Sequence, residues 1–138
     1  MKRILFLDVD GVLNSRADSG SDGLGDSHLR QLKRIVDEAG CVIVLTSSWR
    51  LADDLTAKLR LAFDRHGIPP FDLTPDVSGD RAEEVLAWIE DNGPCIGVLI
   101  DDDCDGFEMT GLRCIQTSVD HGLTVELASE VISAFDQQ

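Results

Sequence analysis

Short runs of apolar residues alternate along the chain with segments in which apolar positions recur every three or four residues. The runs predict four β-strands, at Ile4–Asp8, Cys41–Leu45, Ile96–Ile100 and Arg113–Thr117. The middle two are apolar at almost every position, which is typical of parallel strands covered by helices on both faces. A fifth, weaker strand is predicted at Phe71–Leu73.

Four helices are predicted between and after these strands. Their predicted limits are Ser27–Gly40, Leu51–Gly67, Asp80–Gly93 and a last helix that begins near Thr124. Ser27 and Asp80 have side chains that cap a helix start, and glycine is typical of the residue after a helix end. The second helix has an apolar residue at every fourth position from Leu51 to Phe63, which predicts one buried stripe.

This order of elements predicts a three-layer α/β/α sandwich with a central parallel sheet. With 138 residues, 43% of them hydrophobic, we expect a single domain over residues 1–138. No apolar stretch reaches the ~18 residues that a membrane span needs. The first apolar run is interrupted by Asp8 and Asp10, unlike a signal peptide, so we expect a cytoplasmic protein.

Acidic residues stand at the ends of two of the predicted strands. Asp8 and Asp10 follow the first apolar run, and Asp101 and Asp102 follow Ile100. Open α/β sheets bind ligands at the carboxyl ends of their strands. Carboxylates that converge there repel one another unless a cation lies among them. Mg²⁺ prefers such hard oxygen ligands, so we predict a magnesium site formed by Asp8, Asp10, Asp101 and Asp102.

The first acidic motif also predicts phosphoryl transfer. A carboxylate such as Asp8 can attack phosphorus and form an aspartyl-phosphate when Mg²⁺ masks its charge. Asp10 can protonate the leaving oxygen and later activate water. Gly11 would let the backbone approach the phosphoryl group closely. A calcium loop of the EF-hand type needs a third Asp or Asn before its glycine, and here Gly11 comes directly after the second aspartate.

The second strand ends in hydroxyl residues that predict a phosphate contact. Thr46 and Ser47 lie at a strand-to-helix turn, where backbone N–H groups bind anions. A cation is also needed against the phosphoryl oxygens, and Arg81 is the first candidate, with Arg50 the second. Two alternatives stay open: Arg81 as a surface partner of nearby glutamates, and Arg50 as a cover for its own helix.

These motifs resemble those of the haloacid dehalogenase (HAD) superfamily of phosphohydrolases. Its first motif, Asp-x-Asp-Gly after a hydrophobic strand, matches Asp8–Gly11. Its second, a Thr or Ser that closes a strand, matches Thr46, and its fourth, an acidic pair, matches Asp101–Asp102. The third motif is usually a lysine at a helix start, and its position falls here on Arg81, which keeps the charge but not the lysine geometry.

The resemblance implies a HAD-like fold with Asp8 as nucleophile and Asp10 as general acid and base. It also implies Mg²⁺ bound by the Asp8 side chain, the Asp10 carbonyl and Asp101, with Asp102 in support. Asp103 or Asp105 could replace Asp102 as the second acid. Within the superfamily, the segments Phe6–Asn14, Leu45–Arg50 and Gly122–Thr124 resemble a small capless branch that includes phosphatase domains associated with RNA repair.

Many members of the superfamily carry a cap domain that closes over the substrate. Here the two insertion sites, Leu13–Cys41 and Trp49–Arg81, each hold only a helix and a connection, which predicts an open site. An open site suits a bulky substrate, and we expect a nucleotide or a phosphorylated nucleic-acid end. It equally suits a small substrate covered by a partner subunit in a homo-oligomer. The net charge of −14 opposes long-range attraction to nucleic acid and to anionic membranes.

The remaining chemistry-bearing residues predict no second site. No cysteine pair has metal-binding spacing, which disfavours a zinc site. Because the sequence shows no secretory signal, we expect reduced thiols, with Cys41 and Cys114 as small buried residues. Trp49 and Trp88 are expected to pack in the core, and the histidines receive no role. The segment Asn14–Asp26 is expected to be a mobile loop over the site.

The leading hypothesis is therefore a Mg²⁺-dependent phosphohydrolase that works through phosphorylation of Asp8. Three alternatives remain. The first transfers the phosphoryl group to an acceptor other than water. The second is a phospho-accepting receiver module, whose acidic pair closes the first strand. The third is a binding module without turnover.

Overall fold

The computed structural model describes residues 1–18 and 23–138 and contains one five-stranded parallel sheet. Its strands are β1 (Arg3–Leu7), β2 (Val42–Leu45), β3 (Asp72–Leu73), β4 (Ile96–Asp101) and β5 (Arg113–Gln116). Their order across the sheet is β3-β2-β1-β4-β5. Every predicted strand is confirmed, with ends that differ by one residue or none, and the three central strands coincide with apolar runs.

Four helices connect or follow these strands, as the periodicity predicts. They are α1 (Asp26–Ala39), α2 (Asp53–Arg65), α3 (Arg81–Asn92) and α4 (Val125–Asp136). Two short 3₁₀ helices, Ser48–Leu51 and Glu108–Thr110, follow β2 and β4. The side chains of Asp80 and Thr124 accept hydrogen bonds from the first turns of α3 and α4, which fixes where these helices begin.

The helices cover both faces of the sheet, which confirms the predicted three-layer architecture. On one face, α1, α2 and α4 pack against the sheet around buried side chains such as Leu32, Phe63 and Val131. On the other face, α3 places Val85 and Trp88 against β1, β2 and β4. In the described ranges, neither connection after β1 or β2 contains a cap domain.

Two predicted helix details are wrong. Gly25 occupies the N-cap position of α1 without a side-chain cap, and Ser27 lies inside the first turn. The chain after β2 first forms a 3₁₀ turn and restarts as α2 at Asp53, so Leu51 falls outside the buried stripe and is 56% exposed. The cause is that Leu51 belongs to the 3₁₀ turn, whose periodicity differs from that of the α-helix.

A disulfide between Cys104 and Cys114 corrects the expectation of reduced thiols. Their Cα atoms are 5.9 Å apart, and 10 residues separate them in sequence. Cys114 lies on β5 opposite Leu99, so the β4–β5 pairing brings the two cysteines together, and Cys114 is only half-buried. Cys41 is a buried free thiol, as predicted, and Cys95 is free and half-buried.

The strand order reverses direction between β1 and β4, which places the crevice of this fold at their carboxyl ends. The first and second acidic motifs follow these two strands. Within the described residues, no helix has both the length and the apolar character needed to cross a bilayer.

Candidate active site

Asp8 and Asp101 lie side by side where β1 and β4 end. Leu7 pairs with Ile100 in the parallel register, and the Asp8 backbone N–H donates to the Ile100 carbonyl over 3.1 Å. Both carboxylates are nearly inaccessible, with 2% exposure for Asp8 and 1% for Asp101. Two acids buried next to each other need a compensating positive charge.

Three carboxylates form a cluster that fits a divalent cation. Asp8, Asp101 and Asp102 each offer one oxygen, and these oxygens lie within 4.8 Å of one another. Asp8 Oδ1 is buried and has no hydrogen-bond partner among the described residues. An orphaned buried oxygen within an all-oxygen donor set fits Mg²⁺, so three of the four predicted metal ligands converge.

Asp10 is separated from this cluster. It is exposed, and its Oδ1 accepts hydrogen bonds from Asn14 Nδ2 at 2.9 Å and from Trp49 Nε1 at 3.1 Å. Its side chain is thus held away from the three converging carboxylates, as expected of a proton donor that does not ligate metal through its carboxylate.

Arg81, the predicted cation, contacts both buried acids. One terminal nitrogen, Nη1, lies 2.9 Å from Asp101 Oδ2 and 3.4 Å from Asp8 Oδ1. Arg81 is the first residue of α3, so the Asp80 cap that sets the helix start also sets its position. The side chain remains 37% exposed and can face a ligand in the crevice. This placement favours the phosphoryl-site interpretation of Arg81 over that of a surface residue.

Burial dominates the protonation of the two central acids. It raises the pKa of Asp8, and the positive charge of Arg81 opposes this rise only in part. Burial and then the charge of Asp8 raise the pKa of Asp101 to about 7. Without a metal ion, Asp101 therefore retains a proton up to about pH 7, which a bound cation would displace.

Thr46 and Ser47 follow β2 directly beside Asp8. Both are buried, and the Thr46 N–H and hydroxyl donate to the Leu7 carbonyl at 2.9 and 3.2 Å. The Ser47 hydroxyl accepts from the backbone N–H of Trp49 and caps the 3₁₀ turn. The structure thus brings Thr46 to the predicted place, with its hydroxyl engaged by the protein.

Arg50 lies elsewhere than predicted. Its side chain is buried, and its Nη2 lies 2.7 Å from Glu84 Oε1, with side-chain exposures of 5% for Arg50 and 2% for Glu84. Its other nitrogens donate to the carbonyls of Thr46, Ser47 and Thr74. Because the guanidinium is committed to these partners, the expected substrate contact of Arg50 is corrected to an internal ion pair.

Gly11 is required for a different reason than the predicted approach to a phosphoryl group. Its N–H donates to Asn14 Oδ1 over 2.8 Å and is therefore engaged. Its φ is +78°, and a Cβ at this position would lie 2.7 Å from Asp102 Cβ. Glycine thus lets the turn after β1 pass against Asp102 of the carboxylate cluster.

Sequence reasoning missed Asn14 and Trp49 as parts of the site. Trp49 packs in the core as predicted, but its indole N–H also reaches Asp10, 39 positions away in sequence. Because a buried indole N–H needs an acceptor, a polar partner of Trp49 could have been expected from the sequence. The sequence does not indicate that this partner is Asp10. The asparagine, four residues after Asp10, had no such signal.

Part of the segment Asn14–Asp26 is anchored to the protein. His28, which received no role, is buried, with Nδ1 2.8 Å from the Leu123 carbonyl and Nε2 3.2 Å from Asp18 Oδ2. It thus ties the described beginning of the loop to α1. The rest of the expected loop includes residues 19–22, which lie outside the described residues.

An open, acidic cavity adjoins the carboxylate cluster. Its volume is about 530 Å³, and its walls come from the start of α3 and the loop after β4. Asp103 and Asp105 lie on these walls and outside the cluster of converging carboxylates. Of these three acids, Asp102 is the one that joins the cluster of converging carboxylates.

The parallel sheet, the reversal of strand order at Asp8 and the capless crevice together define a HAD-type α/β domain. The family described as "HAD domain in Swiss Army Knife RNA repair proteins" matches residues 4–128, and the chain belongs to this family. Membership indicates phosphohydrolase-type activity. A comparison with curated proteins finds no match.

Proposed function

We propose that the protein is a Mg²⁺-dependent phosphomonoesterase that works through a phosphorylated Asp8. The observation that carries this proposal is the buried Asp8 Oδ1, which accepts no hydrogen bond from the described residues and forms an ion pair with Arg81 Nη1 at 3.4 Å. A structural carboxylate would have a full set of donors at this depth. An oxygen without hydrogen bonds at the carboxyl ends of the strands, where this fold binds ligands, is suited to react.

Asp8, Asp101 and Asp102 would hold the metal through their side chains, with the Asp10 carbonyl implied by the family pattern. When bound, Mg²⁺ neutralises the repulsion between these carboxylates and the phosphoryl oxygens. Arg81 adds a second positive charge and, on substrate binding, can turn from Asp101 to the phosphoryl group. Thr46 can donate its hydroxyl hydrogen to the same group after releasing the Leu7 carbonyl.

The reaction proceeds in two steps, phosphorylation of Asp8 and hydrolysis of the aspartyl-phosphate. The Asp8 carboxylate attacks phosphorus, the ester P–O bond breaks, and Asp10 gives its proton to the leaving oxygen. Water then attacks the phosphorus of the aspartyl-phosphate, Asp10 takes a proton from that water, and inorganic phosphate leaves with Asp8 regenerated. Each step needs Asp10 in the opposite protonation state, so one residue serves both.

The substrate we propose is a phosphomonoester on a nucleotide or at a nucleic-acid end. The absence of a cap in the described ranges favours a bulky substrate, and the family's description refers to RNA repair. The net charge of −14 and the acidic cavity walls weigh against extensive contacts along a polynucleotide backbone. We therefore expect recognition of a short terminal segment.

A receiver module is disfavoured as an alternative. Receiver folds have the strand order 2-1-3-4-5, whereas this sheet has the order β3-β2-β1-β4-β5. The family match points the same way.

The proposal is tested by hydrolysis of 4-nitrophenyl phosphate with Mg²⁺ and with excess chelator. Wild-type protein should release phosphate only with the metal, and Asp8→Asn should lose all measurable turnover. Asp91→Asn is a matched control, because it removes the same charge from an exposed position at the far end of α3. Turnover that survives in Asp8→Asn, or that needs no metal, would refute the proposal.

A further inference from the structure

The carboxylate of Asp10 is held asymmetrically. Two side-chain donors, Asn14 Nδ2 and Trp49 Nε1, both reach Oδ1, at 2.9 and 3.1 Å. In the described part of the chain, no group donates to Oδ2. Two donors on one oxygen fix the plane of the carboxyl group and leave the other oxygen free to exchange a proton.

Both donors are themselves fixed by the surrounding structure. Asn14 Oδ1 accepts the Gly11 N–H at 2.8 Å, which orients the amide group so that Nδ2 faces Asp10. Trp49 is 8% exposed, and Ser47 caps the 3₁₀ turn in which it lies. The indole N–H is therefore presented from the core and cannot turn toward solvent.

We propose that Asn14 and Trp49 are positioning residues that aim Asp10 Oδ2 at the leaving oxygen. This inference rests on the proposed function and deepens it. Asn14 comes from the turn after β1, and Trp49 from the turn after β2, so the turns of two neighbouring strands hold the proton donor. Neither residue touches the reacting phosphorus.

A misaimed proton donor has an effect that depends on the leaving group. An alkoxide is strongly basic and needs a proton as the P–O bond breaks, whereas 4-nitrophenolate can depart without one. Loss of a purely structural contact would slow both substrates equally. The ratio of the two rates therefore separates positioning of Asp10 from general damage to the site.

The experiment compares kcat/KM for an alkyl phosphate and for 4-nitrophenyl phosphate in wild type, Trp49→Phe and Asn14→Asp. This parameter covers the steps up to formation of the phosphoenzyme, so later hydrolysis does not affect it. Asn14→Asp keeps an acceptor for the Gly11 N–H and removes the donor to Asp10. It also adds a negative charge, whose repulsion of the phosphate acts on both substrates alike and cancels in the ratio of the two rates. We expect each variant to lose roughly 10-fold or more on the alkyl phosphate and about 3-fold or less on the aryl phosphate.

Trp88→Phe is the matched control. Trp88 is also 8% exposed, and its indole N–H also donates to an aspartate, Asp72, at 2.9 Å and outside the site. This control should leave the ratio of the two rates unchanged. Equal losses on both substrates in Trp49→Phe and Asn14→Asp would overturn the inference, and if one variant fails to fold, the other decides alone.

The inference and the proposed function fail in distinguishable ways. If the wild type shows no Mg²⁺-dependent turnover, or if Asp8→Asn is active, the proposed function is refuted. If the wild type is active and Trp49→Phe leaves the ratio of the two rates unchanged, the proposed function stands. Only the positioning roles of Asn14 and Trp49 are then refuted.

Discussion

At the residue scale, the site is governed by the burial of negative charge. Asp8 and Asp101 are almost inaccessible, and Arg81 is the cation that contacts both. The raised pKa of Asp101, about 7, means that the folded, metal-free protein holds a proton that the unfolded chain releases near pH 3.8. A cation bound at the carboxylate cluster would replace that proton.

This difference predicts a pH-dependent stability in chelator. Between pH 4 and 7 the folded state binds more protons at Asp101 than the unfolded state, so its contribution to the free energy of unfolding falls as the pH rises. The full effect of the pKa change is roughly 4 kcal/mol. Denaturant titrations at pH 5 and 7.5 should show Asp101→Asn gaining stability relative to wild type at the higher pH.

Added Mg²⁺ should reverse this trend for wild type only. Because the metal displaces protons from the carboxylates, its affinity should rise with pH up to about 7 and then level off. Parallel pH dependences of wild type and Asp101→Asn in chelator would contradict the assigned protonation.

At the element scale, a buried ion pair joins the turn after β2 to α3. Arg50 and Glu84 are 2.7 Å apart, and Glu84 Oε2 also accepts the Val77 N–H. Removing one member leaves the other charged and buried without its partner. The pair thus fixes α3, and with it Arg81, relative to the end of β2.

We expect Arg50→Met to lower the free energy of unfolding by about 3–5 kcal/mol. Replacing both members, as Arg50→Met with Glu84→Met, should recover a large part of this loss, because no unpaired charge remains. Chemical denaturation of the two single variants and the double variant measures the coupling. A double variant that is as unstable as the sum of the single variants would argue against the pair.

The disulfide acts on the loop that forms one wall of the acidic cavity. Cys104 and Cys114 enclose Asp105, Gly106 and Phe107, which line it. Closing a loop of this size reduces the entropy of the unfolded chain, by about 3 kcal/mol in the chain-entropy description.

Thermal unfolding with and without a thiol reductant tests this contribution. Reductant should lower the Tm of wild type and leave that of a Cys104→Ser, Cys114→Ser variant unchanged. An identical Tm of wild type in both conditions would mean that the disulfide adds no stability.

At the scale of the whole molecule, the sheet could be predicted from the sequence because each buried strand is a continuous apolar run. Asp8, Asp101 and Arg81 could be placed as well, since their positions follow from strand and helix ends. The partners of Arg50 and Trp49 could not be predicted, because they lie 34 and 39 residues away in sequence. Side-chain partners of this kind depend on tertiary packing, which periodicity does not specify.

The most direct test of the account is chemical capture of a phosphorylated Asp8. Protein mixed with a ³²P-labelled phosphomonoester and Mg²⁺ is quenched in acid, and the retained label is examined for release by hydroxylamine, to which acyl phosphates are sensitive. We predict hydroxylamine-sensitive label on the wild type and none on Asp8→Asn. Turnover without any captured label, or equal labelling of Asp8→Asn, would contradict the central claim.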